Sequence, residues 1–176
     1  EDLDKIPADA PADINKVKNI GYGLVAGGGE AKDYLKDFDS YVNGQLNYNL
    51  NPDFNGRKTG DDIHDINDKI YGDNDVMGDR DHAKHGTHVA GIIAQTRHNN
   101  IGGDGVASNV VEIMSVRAVP DGDEYDKDIA LGIRYAVDNG AKVINGSFGK
   151  YFAQNNEWVM DAIKYAAKKD VLIVVA

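Results

Sequence analysis

The sequence predicts an α/β fold with a parallel sheet and helices packed on its faces. From residue 109 onward the pattern alternates strand, helix, strand, helix and strand, and this alternation implies parallel strands with right-handed crossovers. Residues 171–176 are apolar at every position, which is typical of a strand buried on both faces of a sheet. We therefore expect a covered sheet in the second part of the chain.

The first strand and helix of this part have clear local signals. Residues 109–119 alternate apolar and polar side chains closely enough to predict a strand. Asp126 is a plausible N-cap for the helix that follows, and Gly140 is the expected stop at its C-terminal end. The side chains expected to face inward from this helix are Ile129, Ile133, Ala136 and Val137.

The remaining strand and helix follow the same logic. Residues 142–147 predict a second strand, and either Asn155 or Asn156 is expected to cap the next helix. The side chains expected to face inward from that helix are Val159, Ala162, Ile163 and Ala166.

The first part of the chain is polar and differently organised. Residues 12–19 and 30–41 predict two helices, and the glycine run 27–29 between them predicts a turn. No Gly-Lys-Ser/Thr follows the glycines, so a phosphate-binding loop is disfavoured. Residues 43–80 are rich in Asn, Asp and Gly and predict an irregular surface segment, with a short helix at 61–69.

Composition excludes several classes of protein. The chain has 176 residues, 41% of them apolar, so it is long enough for one globular domain. Its 29 acidic and 19 basic residues give a net charge of −10, which argues against a nucleic-acid partner. It has no cysteine and no apolar run long enough for a membrane span.

The two ends of the sequence suggest a piece of a longer protein. The first residue is Glu1 rather than Met, and the last six residues are apolar, whereas chain termini are usually polar and exposed. We therefore expect an internal fragment whose uncovered sheet edges favour self-association.

Three histidines recur every third residue and leave two chemistries open. His82, His85 and His88 could converge on a metal, with Asp79 and Asp81 as oxygen ligands. The alternative is a single general base, because histidine titrates near neutral pH. The pattern lacks the His-Glu-x-x-His arrangement of zinc peptidases.

The same region resembles a known family of enzymes. Residues 85–91, His-Gly-Thr-His-Val-Ala-Gly, resemble the histidine motif of subtilisin-like serine proteases. Residues 99–107 resemble the glycine-rich loop after that motif, 110–119 the next core strand, and 140–149 the strand written GAxVINxSxG. The resemblance implies a partial three-layer α/β/α subtilisin-like sheet. We expect a helix at residues 88–96. We also expect Gly86 to let another backbone approach closely, because it has no side chain.

The resemblance also implies roles for individual residues. His85 matches the general base, and His88 matches a structural position one turn later. Two segments match the edges that pair with substrate backbone, as in β-augmentation. The implied substrate-binding residues are Gly122, Asp123, Glu124, Ser147, Phe148 and Gly149.

Several family motifs are missing from the sequence. It contains no Asp-Ser/Thr-Gly run for the catalytic aspartate and no Gly-Thr-Ser-Met-Ala-like run for the nucleophile. Ser147 lies in Asn-Gly-Ser-Phe-Gly rather than a Gly-x-Ser-x-Gly elbow. We read residues 1–72 as an insertion between the aspartate strand and the histidine helix, and 73–176 as a partial peptidase domain.

These observations lead to one functional hypothesis and two alternatives. The chain is expected to be part of a secreted or cell-envelope serine endopeptidase that acts on peptides or proteins, and to be inactive alone. The alternatives are a non-catalytic, peptide-binding relative and a metal-binding protein that uses the histidine cluster. No catalytic metal is expected, but the Asn- and Asp-rich loops 73–81 and 99–104 are candidates for a structural Ca²⁺ ion.

Overall fold

A computed structural model describes the chain in two compact units, Glu1–Phe54 and Asn55–Ala176. The division falls inside the predicted insertion, whose end at residue 72 stays a prediction. The structure describes every residue except 1, 2, 27, 28, 52, 55, 56, 58, 79, 81–83, 120 and 121.

The first unit is helical. A short 3₁₀ turn, Leu3–Lys5, precedes helix α1 (Ala12–Ala26) and helix α2 (Gly29–Gly44), and a π-helical turn, Gln45–Asn49, follows. Both predicted helices are confirmed. However, α1 runs seven residues past its expected end at residue 19, because glycine inside a helix costs only about 1 kcal/mol relative to alanine. The predicted turn at 27–29 falls mostly outside the described residues.

The second unit contains the α/β part of the chain. Its elements are helix α3 (His85–Ala94), helix α4 (Asp126–Asp138), strand β1 (Val143–Gly146), helix α5 (Asn156–Lys168) and strand β2 (Leu172–Val175). The two strands pair in parallel, with Val143 opposite Leu172 and Gly146 opposite Val175. The predicted strand–helix–strand order is confirmed from residue 143 onward.

A small core lies between α4, α5 and the strands. The inward stripe predicted for α4 is buried, as are Ala162 and Ala166 of α5. Ile144 of β1 and Ile173 of β2 pack against this cluster. The prediction for Ile163 is wrong, because this side chain is 37% exposed.

The strand predicted at residues 109–119 does not form. Residues 111–119 have neither helical nor strand structure, although alternate side chains face α4. A β-carbon at position 132 would lie 3.4 Å from Val116 Cγ1 and 3.6 Å from Ala118 Cβ. The apolar alternation therefore predicts which side chains face inward, but a strand also requires a hydrogen-bonded neighbour, which alternation cannot report.

The prediction that the last strand is covered on both faces is also wrong for the described part of the chain. Ile173 faces the helices, whereas Leu172, Val174 and Val175 are 61%, 45% and 71% exposed. The described structure therefore supports an α/β fold with helices on one face of a two-stranded sheet, and the third layer is not seen.

Asx turns replace the short helix predicted at residues 61–69. The Asp62 carboxylate accepts a hydrogen bond from the His64 N–H, and the Asp65 carboxylate accepts one from the Asn67 N–H, each at 2.8 Å. Such local side-chain acceptors compete with helical hydrogen bonding. The prediction of a helix is therefore wrong, and the reason is the density of aspartates.

A buried cluster of charges joins this irregular segment to α4. Lys127 is 1% exposed, and its Nζ donates to Asp61 Oδ2 at 2.6 Å. Arg57 donates two hydrogen bonds to the Asp128 carboxylate at 2.8 Å and one to Asp61 at 2.9 Å. The Tyr71 hydroxyl donates to Asp128 Oδ1 at 2.6 Å. Two cations and two anions thus balance one another away from solvent.

The hydrogen bonds of this cluster determine how its groups ionise. Burial by itself raises the pKa of Asp61. Hydrogen bonds from Arg57, Lys127 and Thr59 outweigh this effect and hold the pKa well below its ordinary value. Burial and the hydrogen bond to Asp128 both raise the pKa of Tyr71, so its hydroxyl stays protonated and keeps donating. Asp61 is therefore ionised and Tyr71 is uncharged at neutral pH.

We expect Asp61→Asn to destabilise the chain by about 3 kcal/mol at pH 7, because it leaves the buried Lys127 ammonium without a balancing charge. Urea unfolding followed by circular dichroism measures this loss. Glu112→Gln, which neutralises an exposed carboxylate, is the matched control and should leave the unfolding midpoint nearly unchanged.

The stability difference between wild type and Asp61→Asn should also depend on pH. A carboxyl whose folded-state pKa is depressed stabilises the protein above its unfolded-state pKa, and this stability is lost as the pH falls through the folded-state pKa. The ordinary pKa of aspartate is 3.8, so the difference between wild type and Asp61→Asn should narrow below about pH 4. A difference that is absent at pH 7, or that widens in acid, would contradict the role of Asp61.

Candidate functional site

His85 is the first residue of α3, and its side chain is exposed. The helix begins three residues before the expected position and ends at Ala94 rather than at residue 96. The His88 N–H donates to the Lys84 carbonyl at 3.0 Å and closes the first turn. An exposed imidazole at a helix start is accessible to a reacting group, as a general base must be.

The loop after α3 folds back onto the C-terminal end of the helix. The Gly105 N–H donates to the Gln95 carbonyl at 3.0 Å, and the next two backbone N–H groups donate to the Ile92 and Ile93 carbonyls at 2.9 and 2.8 Å. These bonds satisfy carbonyls that a helix end leaves without partners. The glycine-rich loop thus holds the helix that carries His85.

Close backbone approach occurs at Gly105 rather than at Gly86. A β-carbon at position 105 would lie 2.7 Å from both the Ala94 carbonyl carbon and the Gln95 carbonyl oxygen. A β-carbon at position 86 would meet none of the described atoms within 4 Å. The expectation that Gly86 allows close approach is therefore wrong for the described part of the chain.

The first predicted substrate-binding segment, Ser147, Phe148 and Gly149, follows β1 directly. The Ser147 Oγ accepts a hydrogen bond from Asn145 Nδ2 at 2.9 Å, so its observed partner is an amide rather than an imidazole. The Phe148 ring covers Gly146, since its Cζ would lie 3.3 Å from a β-carbon there. These contacts fix how the chain leaves the strand.

The second predicted segment, Gly122, Asp123 and Glu124, leads into α4. Gly122 has φ +92°, a value that favours glycine over residues with a β-carbon. Asp123 is exposed, whereas Glu124 is 8% exposed. The segment therefore presents part of its backbone at the surface while its last residue turns inward.

Lys150 connects these two segments. Its Nζ donates to the Glu124 carbonyl at 2.6 Å and forms an ion pair with Asp126 Oδ1 at 2.9 Å. The other oxygen of Asp126 accepts hydrogen bonds from the Gln154 N–H at 2.7 Å and the Asn155 N–H at 2.6 Å. One buried carboxylate thus anchors both ends of the stretch that follows Gly149.

This arrangement corrects the role predicted for Asp126. The N-cap residue of α4 is Tyr125, which forms no side-chain cap hydrogen bond. Burial raises the pKa of Asp126, but the Asn155 N–H and the Lys150 ammonium lower that pKa below its ordinary value. The prediction for Asp126 used only its position before a helical pattern. The residues that Asp126 contacts lie 24 or more positions away in sequence, so sequence reasoning missed Lys150.

The proposed metal sites are only partly within the described structure. His82, Asp79 and Asp81 lie outside the described residues. Among the residues that are described, no three His, Cys, Asp or Glu side chains converge as a metal site would require.

Asp104, the one acidic residue of loop 99–104, lies next to donor groups. Asp104 accepts a hydrogen bond from the His98 N–H at 2.9 Å, and it lies 3.9 Å from the Arg97 guanidinium. Calcium prefers several converging oxygen ligands, and these neighbours supply donors instead. The structural Ca²⁺ ion stays a prediction for both loops.

We expect Gly105→Ala to destabilise the chain by about 2 kcal/mol, because the added methyl group would overlap the backbone at the end of α3. Gly86→Ala is the matched control, and it should raise stability by up to about 1 kcal/mol through helix propensity. Thermal unfolding of the two variants measures the contrast. Equal melting temperatures for the two variants would show that Gly105 does not hold the loop against α3.

Comparison with known proteins identifies related enzymes. The chain is 42% identical over 93 residues to a thermophilic serine proteinase of Bacillus sp. (strain AK1), covering 52% of this chain and 22% of the relative. It is 44% identical over 77 residues to a cell wall-associated protease of Bacillus subtilis (strain 168), covering 43% of this chain and 8% of the relative. It is 39% identical over 93 residues to thermitase of Thermoactinomyces vulgaris, covering 52% of this chain and 32% of the relative.

The chain thus spans at most about a third of the length of these relatives. No solved structure matches it. A sequence model of the subtilase family matches residues 38–176, a range that includes α3, both predicted substrate-binding segments and the parallel strands. The chain therefore belongs to the subtilase family.

Proposed function

We propose that this chain forms part of a serine endopeptidase in which His85 is the general base. The observation that carries the proposal is the family match over residues 38–176, together with the exposed position of His85 at the start of α3. In this reaction the imidazole takes the proton of a serine hydroxyl as the serine attacks the peptide carbonyl. The same imidazole then donates a proton to the departing amine.

Substrate backbone would bind in an extended form between the two predicted segments. Residues 147–149 directly continue β1, so a substrate strand paired with them extends the sheet edge by main-chain hydrogen bonds. Residues 122–124 supply the opposite edge. The Lys150 link between the segments supports this proposal, because paired edges must keep a constant spacing.

The other members of the triad are proposed to lie outside these 176 residues. The sequence contains neither family motif for the catalytic aspartate or for the nucleophilic serine. His85 alone cannot generate an activated nucleophile. We therefore propose that the 176 residues by themselves have no peptidase activity.

The cellular location and the self-association of the chain are further parts of the same proposal. Relatives include the cell wall-associated protease and a minor extracellular protease of Bacillus subtilis, which supports a secreted or cell-envelope enzyme. Each helix within the described residues is too short or too polar to cross a bilayer. The exposed apolar side chains of β2 support self-association of the isolated chain.

The non-catalytic, peptide-binding relative is the principal alternative. It uses the same two segments but requires no serine or aspartate partner for His85. The metal-binding alternative rests on His82, which lies outside the described residues, and metal analysis of the purified chain tests it. Zinc below one equivalent would contradict that alternative.

In the complete protein that carries these residues, we expect His85→Asn to lower kcat at least about 10⁴-fold, because the general base is lost. Hydrolysis of a chromogenic peptide measures this effect. His98→Asn replaces an exposed histidine on the loop after α3 and should leave kcat within about twofold, as for most surface changes.

Two outcomes would contradict the proposed reaction. Hydrolysis that survives His85→Asn would remove His85 from the mechanism. Tight peptide binding without hydrolysis by the wild-type protein would favour the non-catalytic alternative.

A further inference from the structure

We propose that Lys150 is a positioning residue that sets the spacing between the two substrate-binding segments. This inference rests on the proposed function, because it assigns to Lys150 a part in how that site holds an extended peptide. Lys150 itself need not touch the substrate.

Lys150 lies next to one substrate-binding segment and reaches the other. It directly follows Gly149, so any movement of its backbone moves the segment that pairs with substrate. Its ammonium reaches across to the Glu124 carbonyl at 2.6 Å, which is the last backbone acceptor of the opposite segment. One side chain therefore spans the two edges between which the substrate would lie.

The contacts of Lys150 with Asp126 and with the Glu124 carbonyl are largely shielded from solvent. The Lys150 side chain is 13% exposed and that of Asp126 is 5% exposed. An ion pair shielded from solvent is screened less by salt than a surface pair, and a charge-assisted hydrogen bond is stronger than a neutral one. The link is therefore stiff enough to define a distance.

Residues 151–155, which follow Lys150, are held by polar contacts with Asp126. Asp126 binds Lys150 at one end and the Gln154 and Asn155 N–H groups at the other. Between these anchors Tyr151 and Phe152 are 98% and 86% exposed, so apolar packing does not hold this stretch. Its position next to the substrate edge depends on the polar anchors.

The core does not depend on the same contacts. The buried apolar cluster is formed by α4, α5 and Val171, with the strands packed against it, and Lys150 is not part of it. Removing the ammonium should therefore loosen the edge of the site before it disrupts the fold. This separates a positioning role from a purely structural one.

Substrate length distinguishes the two roles. In the proposed binding mode, a substrate with a single residue before the scissile bond lies against the segment at 147–149 alone. A substrate with four residues there extends along both segments, so its affinity depends on their spacing. Loss of a positioning residue should therefore affect long substrates selectively.

The test compares Lys150→Met with wild type in the complete protein, using a tetrapeptide anilide and a single-residue ester. We expect kcat/KM for the tetrapeptide to fall between about tenfold and a hundredfold, mainly through KM, because misplaced binding groups cost up to that much. We expect kcat/KM for the ester to fall by a clearly smaller factor, because the ester depends on the position of one segment and not on the spacing between the two. Lys142→Met, at an exposed lysine just before β1, is the matched control and should match wild type on both substrates.

Two further variants keep the positioning role testable if the Lys150→Met protein does not fold. Lys150→Arg keeps the positive charge and the donors, and it should restore most of the tetrapeptide activity. Lys150→Gln keeps a donor for the Glu124 carbonyl but loses the ion pair with Asp126, and it should give an intermediate loss. Lys150→Gln replaces Lys150→Met in the comparison of substrate lengths if the Lys150→Met protein does not fold.

The outcomes separate this inference from the proposed function. An equal loss on both substrates, or no loss on the tetrapeptide, would overturn the positioning role while leaving the endopeptidase intact. A wild-type protein that binds but does not cleave would contradict the proposed function alone. In that case the affinity for the tetrapeptide, measured by fluorescence anisotropy, becomes the readout, and an unchanged affinity in Lys150→Met overturns the inference.

Discussion

The first turn of α4 holds together the segments on which the candidate site depends. Asp126 anchors residues 150–155, whereas Lys127 and Asp128 bind partners within residues 57–71. The two aspartates are favourable at the positive end of the helix dipole, but a lysine there is not. Lys127 is tolerated in a buried position because the Asp61 carboxylate balances its charge. Three consecutive side chains of one helical turn thus serve two separate parts of the structure.

This arrangement gives the site two independently supported parts. Both proposed substrate edges adjoin the α4 turn, since residues 122–124 lead into it and Lys150 ties residues 147–149 to it. His85 lies on α3, which is held instead by the loop at Gly105. Binding and proton transfer therefore depend on different contacts: the substrate edges depend on a buried ion pair and its hydrogen bonds, and α3 depends on backbone hydrogen bonds from the loop at Gly105. Precise placement of functional groups requires this kind of supporting structure around them.

Local patterns predicted the parts of the fold that local forces determine. The apolar stripe of α4, its stop at Gly140 with φ +91° and the strand at Val143–Gly146 all follow from short-range periodicity and backbone preference. The Lys150–Asp126 pair and the missing strand at 111–119 do not, because both depend on partners distant in sequence. His85 was found through its motif rather than through periodicity, and its role as general base stays a prediction.

The Asp126 carboxylate, rather than apolar packing, holds residues 150–155 beside the proposed substrate edge. Hydrogen exchange of the Gln154 and Asn155 backbone amides tests this claim most directly, because both donate to that carboxylate. We predict that Asp126→Ala abolishes the protection of these two amides while the Leu172 amide, which donates to the Lys142 carbonyl in the sheet, stays protected. Unchanged protection at Gln154 and Asn155 would contradict the account.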